Sequence, residues 1–304
     1  MVRSCVILNP RAGSAAQAEA LREALAGQSE TTLYETDRTG HATKLAAEAL
    51  AGGYEQLVAA GGDGTIHEVV NGLAGDFARA RLGIIPLGTG NDLARTLAIP
   101  DDPLEALALI TDGRQRWIDL IKVESAGQVL YGINVAAGGF SGQVNEVLTD
   151  ELKATWGPLA YLLGAIRIVP DLTGYQTTIA WDDGPVERIE ALNIVVANGR
   201  TVAGGFRVAP LANPEDGLLD VIIVRYGDAL DLAGVAARLI TGNYLNSDQV
   251  THRRARRAHI AAHPGMWFNV DGELFTNQPV SFTVLPQALR VVVGPDYTPV
   301  PPAS

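Results

Sequence analysis

The sequence predicts an α/β domain followed by a second, largely antiparallel β domain. Three observations carry this. Up to about residue 125, strand-like and helix-like segments alternate; each glycine-rich turn in that stretch follows a strand and precedes a helix; beyond it, short β-rich segments separated by turns dominate. A chain of 304 residues suits about two domains.

The first part opens with CVILN as a strand and AAQAEALREALA, residues 15–26, as a helix. TTLYET reads as the second strand, and HATKLAAEAL as a helix with apolar residues at helical spacing. QLVAAG, TIHEVVNGLA, LGIIPLG and NDLARTLAI continue the cadence as strand, helix, strand and helix. Such alternation implies a mostly parallel sheet covered on both faces, with ligands beyond the carboxyl ends of its strands. In the second part, VLYGINV, YQTTIAW, ALNIVVAN, LLDVIIVRY, MWFNVDGEL, VSFTVL and LRVVVG read as strands. Helical patterns occupy 143–153, 158–169 and 229–240, and PDYTPVPPAS is a proline-rich end. The sequence therefore divides into 1–125, taking 291–304 with it, and 126–290.

Composition narrows the function. The hydrophobic fraction of 47% with 19% charged residues is that of a globular protein with ample core. A net charge of −11 argues against non-specific nucleic-acid binding and against broad adsorption to anionic membranes. The lone Cys5 lies in the apolar run CVIL, which points to a buried strand residue and excludes an intramolecular disulfide or a cysteine metal cluster. The opening MVRSCVILNPRAG is too short in its apolar part for a signal sequence. The segment GPLAYLLGAIRIVP, 157–170, is well short of the ~20 apolar residues of a membrane span and reads as a buried helix. The expectation is a cytoplasmic protein.

The chemistry concentrates in turns. GGDGT at 61–65, LGTGND at 87–92 and NPRAG at 9–13 share one construction, a strand, then glycines, then a helix start. Glycines let a ligand approach the backbone, and a helix N-terminus offers unpaired amides to an anion. Turns at successive strand ends can converge on one polyphosphate. They contain no lysine, Arg11 is their only cation, and neither the P-loop pattern nor the protein-kinase set is present. Asp63 at the centre of the second turn therefore needs explaining, because a carboxylate near phosphate costs about 1–4 kcal/mol per close charge pair. A divalent cation reverses that sign, since carboxylate and phosphate oxygens both ligate magnesium. The alternative is that Asp63 only caps the helix that follows, and Asn91 and Asp92 also stand at a natural cap.

Two further acidic turns lie in the second part. NPEDGLLDVIIV, 213–224, suits either a plain turn or a metal held by carboxylate and carbonyl oxygens. FNVDGELF, 268–275, projects two carboxylates between strands, either as solvated hairpin acids or as a general base for a hydroxyl attacking phosphorus. The basic run THRRARRAH, 251–259, reads either as a solvated face or as a contact for acidic lipid head groups. The histidines are scattered without metal-ligand spacing, and His67, after GGDGT, is expected to face solvent.

GGDGTIHEVVNGL, PLGTGNDLAR, NGRTVAGGFRVAP, NPEDGLLDV and NVDGELF, in this order, resemble the bacterial lipid kinases of the diacylglycerol kinase catalytic family, most closely its YegS-like branch. The resemblance covers residues 4 to about 294. It implies an N-terminal α/β domain like the nucleotide domain of phosphofructokinase and NAD kinase, a C-terminal β-sandwich, and an active site in the interdomain cleft. It implies an ATP- and Mg²⁺-dependent kinase that transfers the γ-phosphate to the hydroxyl of diacylglycerol or a related lipid alcohol. ATP would be held by Asn9, Pro10 and Gly13, by Thr36, by Gly61, Gly62, Asp63, Gly64, Thr65 and Glu68, and by Gly88, Thr89, Gly90 and Asn91. Glu273 would be the proton acceptor, with Asp271 beside it. A structural magnesium would take Asn213, Asp216 and the Leu218 carbonyl, and Asp63, Asp92 and Asp119 would form a water-linked network around a further magnesium. His67 stands where many relatives have Asn, Ala12 replaces a frequent serine, and Asn213 occupies a variable position. The implied partner is a lipid at the membrane surface, met by a cytoplasmic protein in transient association, with no nucleic acid; peripheral membrane contact and a homodimer stay open. The alternatives are an NAD kinase-like kinase of a soluble alcohol and a non-catalytic lipid- or nucleotide-binding protein on the same scaffold.

Overall fold

The computed structural model describes residues 2–139, 173–182, 184–240 and 242–300. The predicted helices at 143–153 and 158–169 lie outside them. The chain forms two compact units, Met1–Leu120 with Pro286–Ser304, and Ile121–Leu285.

In the first unit, β1 (Ser4–Leu8), β3 (Gln56–Gly61) and β4 (Arg81–Pro86) sit side by side, with β2 (Thr31–Glu35) beyond β1 and the end of β17 (Val280–Val293) beyond β4. All these pairings are parallel, in register Cys5↔Leu57 and Leu57↔Leu82. QLVAAG is buried at every position because helices cover both faces of the sheet, so the strand reads as a continuous apolar run. The helices are α1 (Ala15–Leu25), α2 (His41–Ala51), α3 (Asp63–Gly72), α4 (Asp92–Thr96) and α5 (Pro103–Asp112). Ser14 and Gln17 form a capping box that starts α1. α5 is not among the predicted helices, although Asp102 accepts from Leu104 and Glu105 amides and Pro103 opens its first turn. α4 is shorter than predicted: the helix stops at Thr96, and Ala98 takes φ 53°.

The second unit is antiparallel. Its strands are ordered β16 (Glu273–Thr276), β15 (Phe268–Val270), β7 (Val135–Gly139), β9 (Val186–Ala197), β8 (Tyr175–Trp181), β14 (Arg257–His263) and the start of β17. β9 also pairs with β12 (Leu219–Arg225), which pairs with β13 (Val250–Ala255). β5 (Arg114–Ser125) runs into β6 (Gln128–Gly132), and a two-stranded ribbon joins β10 (Thr201–Val202) to β11 (Phe206–Arg207). One apolar core gathers around Trp181, Phe268 and Phe282, the two phenylalanine rings 5.3 Å apart and tilted. A second gathers Ile222, Tyr244, Val250 and Val235, the last on α6 (Ala229–Ile240). Among the described residues, no helix is long and apolar enough to cross a membrane.

The basic run at 251–259 is spread over β13 and β14, and the alternation of strands divides it. Arg253 pairs with Glu187 at 2.6 Å and lies over the Trp181 ring. Arg254 pairs with Asp216, and His252 Nε2 lies 2.6 Å from Asp220. The backbone amides of Arg256 and Arg257 donate to Asp182. Arg254, Arg256, Arg257 and His259 are exposed, so the run keeps a solvated face, with Arg253 and Arg254 also paired to acids of the second unit.

Candidate nucleotide site and acidic turns

The turns at 9–13, 61–65 and 87–92 follow β1, β3 and β4, which are adjacent strands, so they meet at one end of the first unit's sheet. Their contact is backbone to backbone. A Cβ on Gly88 would fall 2.6 Å from Gly62 Cα, and one on Gly13 would fall 2.7 Å from the Leu87 carbonyl oxygen. Only glycine permits this approach. Asn9 ties the first two turns together, its Nδ2 donating to Thr65 Oγ1 at 3.3 Å while its Oδ1 accepts from the Arg11 amide. In the third turn, Asn91 takes φ 51° and closes a ring with Gly88: Gly88 N donates to Asn91 Oδ1 at 2.9 Å and Asn91 Nδ2 donates to Gly88 O at 2.8 Å. A cavity of about 340 Å³ opens here, lined by Gly13, Gly88, Thr89, Asn91, Arg95 and Asp101 among others.

Asp63 is the first residue of α3, yet it caps a different helix. Its Oδ2 and Oδ1 accept from the Asp92 and Leu93 amides, each at 3.2 Å, and so hold the start of α4 against the second turn. The N-cap of α3 itself is Gly62, with no side-chain cap. The α3 N-cap thus leaves first-turn amides and the positive end of the helix dipole beside the turns, with Asp63 in the first turn engaged by α4. Glu68 works in the same manner: its two oxygens accept from Gly40 N at 2.8 Å and Ala42 N at 2.9 Å, replacing the side-chain cap that Gly40 cannot give α2. Thr36 lies just past β2, with its amide bonded to Leu8 O. Pro10, Gly61, Gly64 and Gly90 lie within the three turns. His67 is buried, not solvent-facing as expected, with its Nε2 3.3 Å from Asn71 Nδ2 one turn on. Asp92 is buried at the start of α4, and Asp119, buried on β5, accepts from the Gln287 amide at 2.6 Å.

In the second unit, Asp271 and Gly272 are the two central residues of a tight hairpin, with φ 50° and 94° and Val270 opposite Glu273. The Asp271 carboxylate accepts three amides, from Ile133 at 2.9 Å, Asn134 at 2.9 Å and Val135 at 3.0 Å. It fixes the approach to β7. Glu273 is exposed and takes no part in that clamp. The two neighbouring carboxylates thus differ in kind: one is a brace, the other is exposed.

The turn at 213–218 is also braced. Asn213 Oδ1 accepts from Glu215 N and Asp216 Oδ1 from Leu218 N, each at 3.0 Å, and the other Asp216 oxygen meets Arg254. Burial raises the Asp216 carboxyl above its ordinary value, opposed by the Arg254 charge and the Leu218 amide. Asp220 lies opposite Arg254 across β12 and β13, fully buried. Arg254 meets one oxygen of the Asp216 carboxylate, while the donor set expected for a structural magnesium, the Asn213 side chain, the Asp216 carboxylate and the Leu218 carbonyl, is of the oxygen type that such an ion takes. Among the described residues, no three His, Cys, Asp or Glu side chains group as a metal site.

The family described as "Diacylglycerol kinase catalytic domain" matches residues 3–123, and that described as "YegS C-terminal NAD kinase beta sandwich-like domain" matches 134–293. A diacylglycerol kinase of Staphylococcus epidermidis is 34% identical over 299 residues, covering 97% of this chain and 93% of that protein. One of Staphylococcus carnosus is 34% identical over 301 residues, covering 98% and 95%. A crystal structure of a candidate diacylglycerol kinase from Bacillus anthracis superposes with a TM-score of 0.84 at 28% identity, covering 97% of this chain and 96% of that one. The α/β domain, the β-sandwich and these likenesses agree: the chain belongs to the diacylglycerol kinase-like family of lipid kinases.

Proposed function

We propose that the protein transfers the γ-phosphate of ATP to the hydroxyl of diacylglycerol or a related lipid alcohol. One observation carries this reading: three glycine turns close on each other at neighbouring strand ends, beside a helix start that no side chain caps. Backbone amides there suit a polyphosphate. Thr89, exposed in the cavity wall, would add a hydroxyl donor. Asp63 and Asp92 would hold magnesium directly or through water; each carboxylate oxygen has lone pairs beyond its amide bond, so bracing α4 does not exclude this role for Asp63. Magnesium bound there would offset the repulsion between these acids and the triphosphate. Asp119 would act with them through water.

Glu273 would take the proton of the lipid hydroxyl as its oxygen bonds to the γ-phosphorus, and the bond from that phosphorus to the bridging oxygen breaks to release ADP. Asp271 would keep the hairpin that presents Glu273 in place. The test is phosphate transfer from ATP to a panel of lipid alcohols, with newly phosphorylated species read by mass spectrometry. Transfer to one class of lipid supports the reading and names the acceptor. Transfer to NAD with none to lipid, or no turnover with any acceptor, refutes it.

A further inference from the structure

At the sheet end away from the glycine turns, strand register lines up one row of polar side chains. Ser4 lies beside Gln56, Gln56 beside Arg81, and Arg81 beside Arg290, across β1, β3, β4 and β17. Neighbours in register share a face of the sheet. Gln56 is buried at the centre, and its Oε1 accepts from Ser4 Oγ at 3.3 Å and from Arg81 Nε at 3.0 Å, with a further bond from Arg81 Nη2. That oxygen is saturated and, being uncharged, does not neutralise the Arg81 guanidinium.

Arg290 adds a second guanidinium. Its Nε is buried with no acceptor among the described residues, and its Cζ lies 5.5 Å from the ring centroid of half-exposed Trp117. Like charges on directly paired strand residues repel. Burial holds the Arg81 guanidinium below its ordinary value and Arg290 adds to the effect, while exposed Glu55 opposes it more weakly. A small anion bridging both guanidiniums removes the repulsion and supplies the missing acceptor, and phosphate oxygens match the planar fork of arginine.

We infer that Arg81 and Arg290, with Trp117 as one wall, form a phosphate-binding site separate from the glycine turns. The phosphate is either free or the head group of an anionic lipid. This inference does not depend on the reaction proposed above.

The test uses the full chain saturated with magnesium and a non-hydrolysable ATP analogue, so that phosphate bound at the glycine turns does not contribute. Inorganic phosphate is titrated by calorimetry, and co-sedimentation is compared for phosphatidylcholine vesicles with and without phosphatidic acid. Saturable binding of either probe is expected, weakened about tenfold or more by Arg290→Gln and largely kept by Arg290→Lys. Binding of phosphate in solution identifies the free anion as sufficient, and binding of the acidic vesicles alone identifies the lipid head group. In the absence of phosphate, Arg290→Gln is expected to leave the thermal midpoint unchanged or raise it, because a repulsion is removed; a merely structural arginine would lower it. Equal binding by wild type and Arg290→Gln, or binding of neither probe by wild type, overturns the inference.

Discussion

The glycine turns of the first unit and the 213–220 region of the second hold their acidic side chains differently. Near the glycine turns of the first unit, Asp63 and Glu68 are held by backbone amides, and each braces the start of a helix that its own segment does not contain. In the 213–220 region of the second unit, Asp216 and Asp220 are met by the side chains of Arg254 and His252, Asp216 also by the Leu218 amide. Glu273 belongs to neither pattern. The comparison teaches that carboxylates crowded into turns are no single signal; what each one accepts from decides its work.

The largest expected effect comes from breaking the exception. Glu273→Gln should lower kcat by about 10²–10⁴-fold while nucleotide affinity stays unchanged, as the loss of a general base does. Unimpaired turnover would remove Glu273 from the mechanism. Asp271→Ala sharpens the contrast within the same hairpin. Losing three charge-assisted amide contacts should cost about 3 kcal/mol of stability or more, read as a lower urea midpoint. An unchanged midpoint with lost activity would mean that Asp271 acts in the chemistry and not as a brace.

In the first unit, Gly88→Ala places a methyl against Gly62 Cα and should part the turns. Strain of this type costs about 1–3 kcal/mol, and nucleotide affinity should fall about tenfold if the turns hold the triphosphate. The smallest effect is in the 213–220 region. Asp216 holds its proton more tightly when folded, so its stabilising contribution is full below the ordinary value of 3.8 and is lost as pH rises through the raised one. Asp216→Asn should flatten that part of the stability profile; an unaltered slope would show that burial does not govern this carboxyl.

Much of the first unit was legible because its signals are local: buried parallel strands are apolar runs, and glycine turns between strand and helix mark the ligand end. The fold class and the family followed from these and from the Asp-Gly-Glu turn. What escaped depended on distant partners. β13 is masked by charge, because Glu187, Asp216 and Asp220, which pair with Arg253, Arg254 and His252, lie far off in sequence. β5 begins with alternating charged residues and becomes apolar only from Ile118. For α5 the cap was present in Asp102 and Pro103, so that omission had a readable signal. The role of Asp63 as the cap of α4 was not readable, since it needs the register that places the second turn beside the third. His67 was misjudged for a like reason: nothing in its helix tells which face the neighbouring elements cover.

The central claim is that a divalent cation reconciles the acids of the glycine turns with a triphosphate. The most direct measurement is calorimetric titration of ATP into wild type and Asp63→Asn, with magnesium and after complete chelation. Binding by wild type should be at least about tenfold tighter with magnesium, and Asp63→Asn should narrow that difference. Equal affinity with and without the ion would contradict the claim and leave Asp63 as a cap of α4 alone.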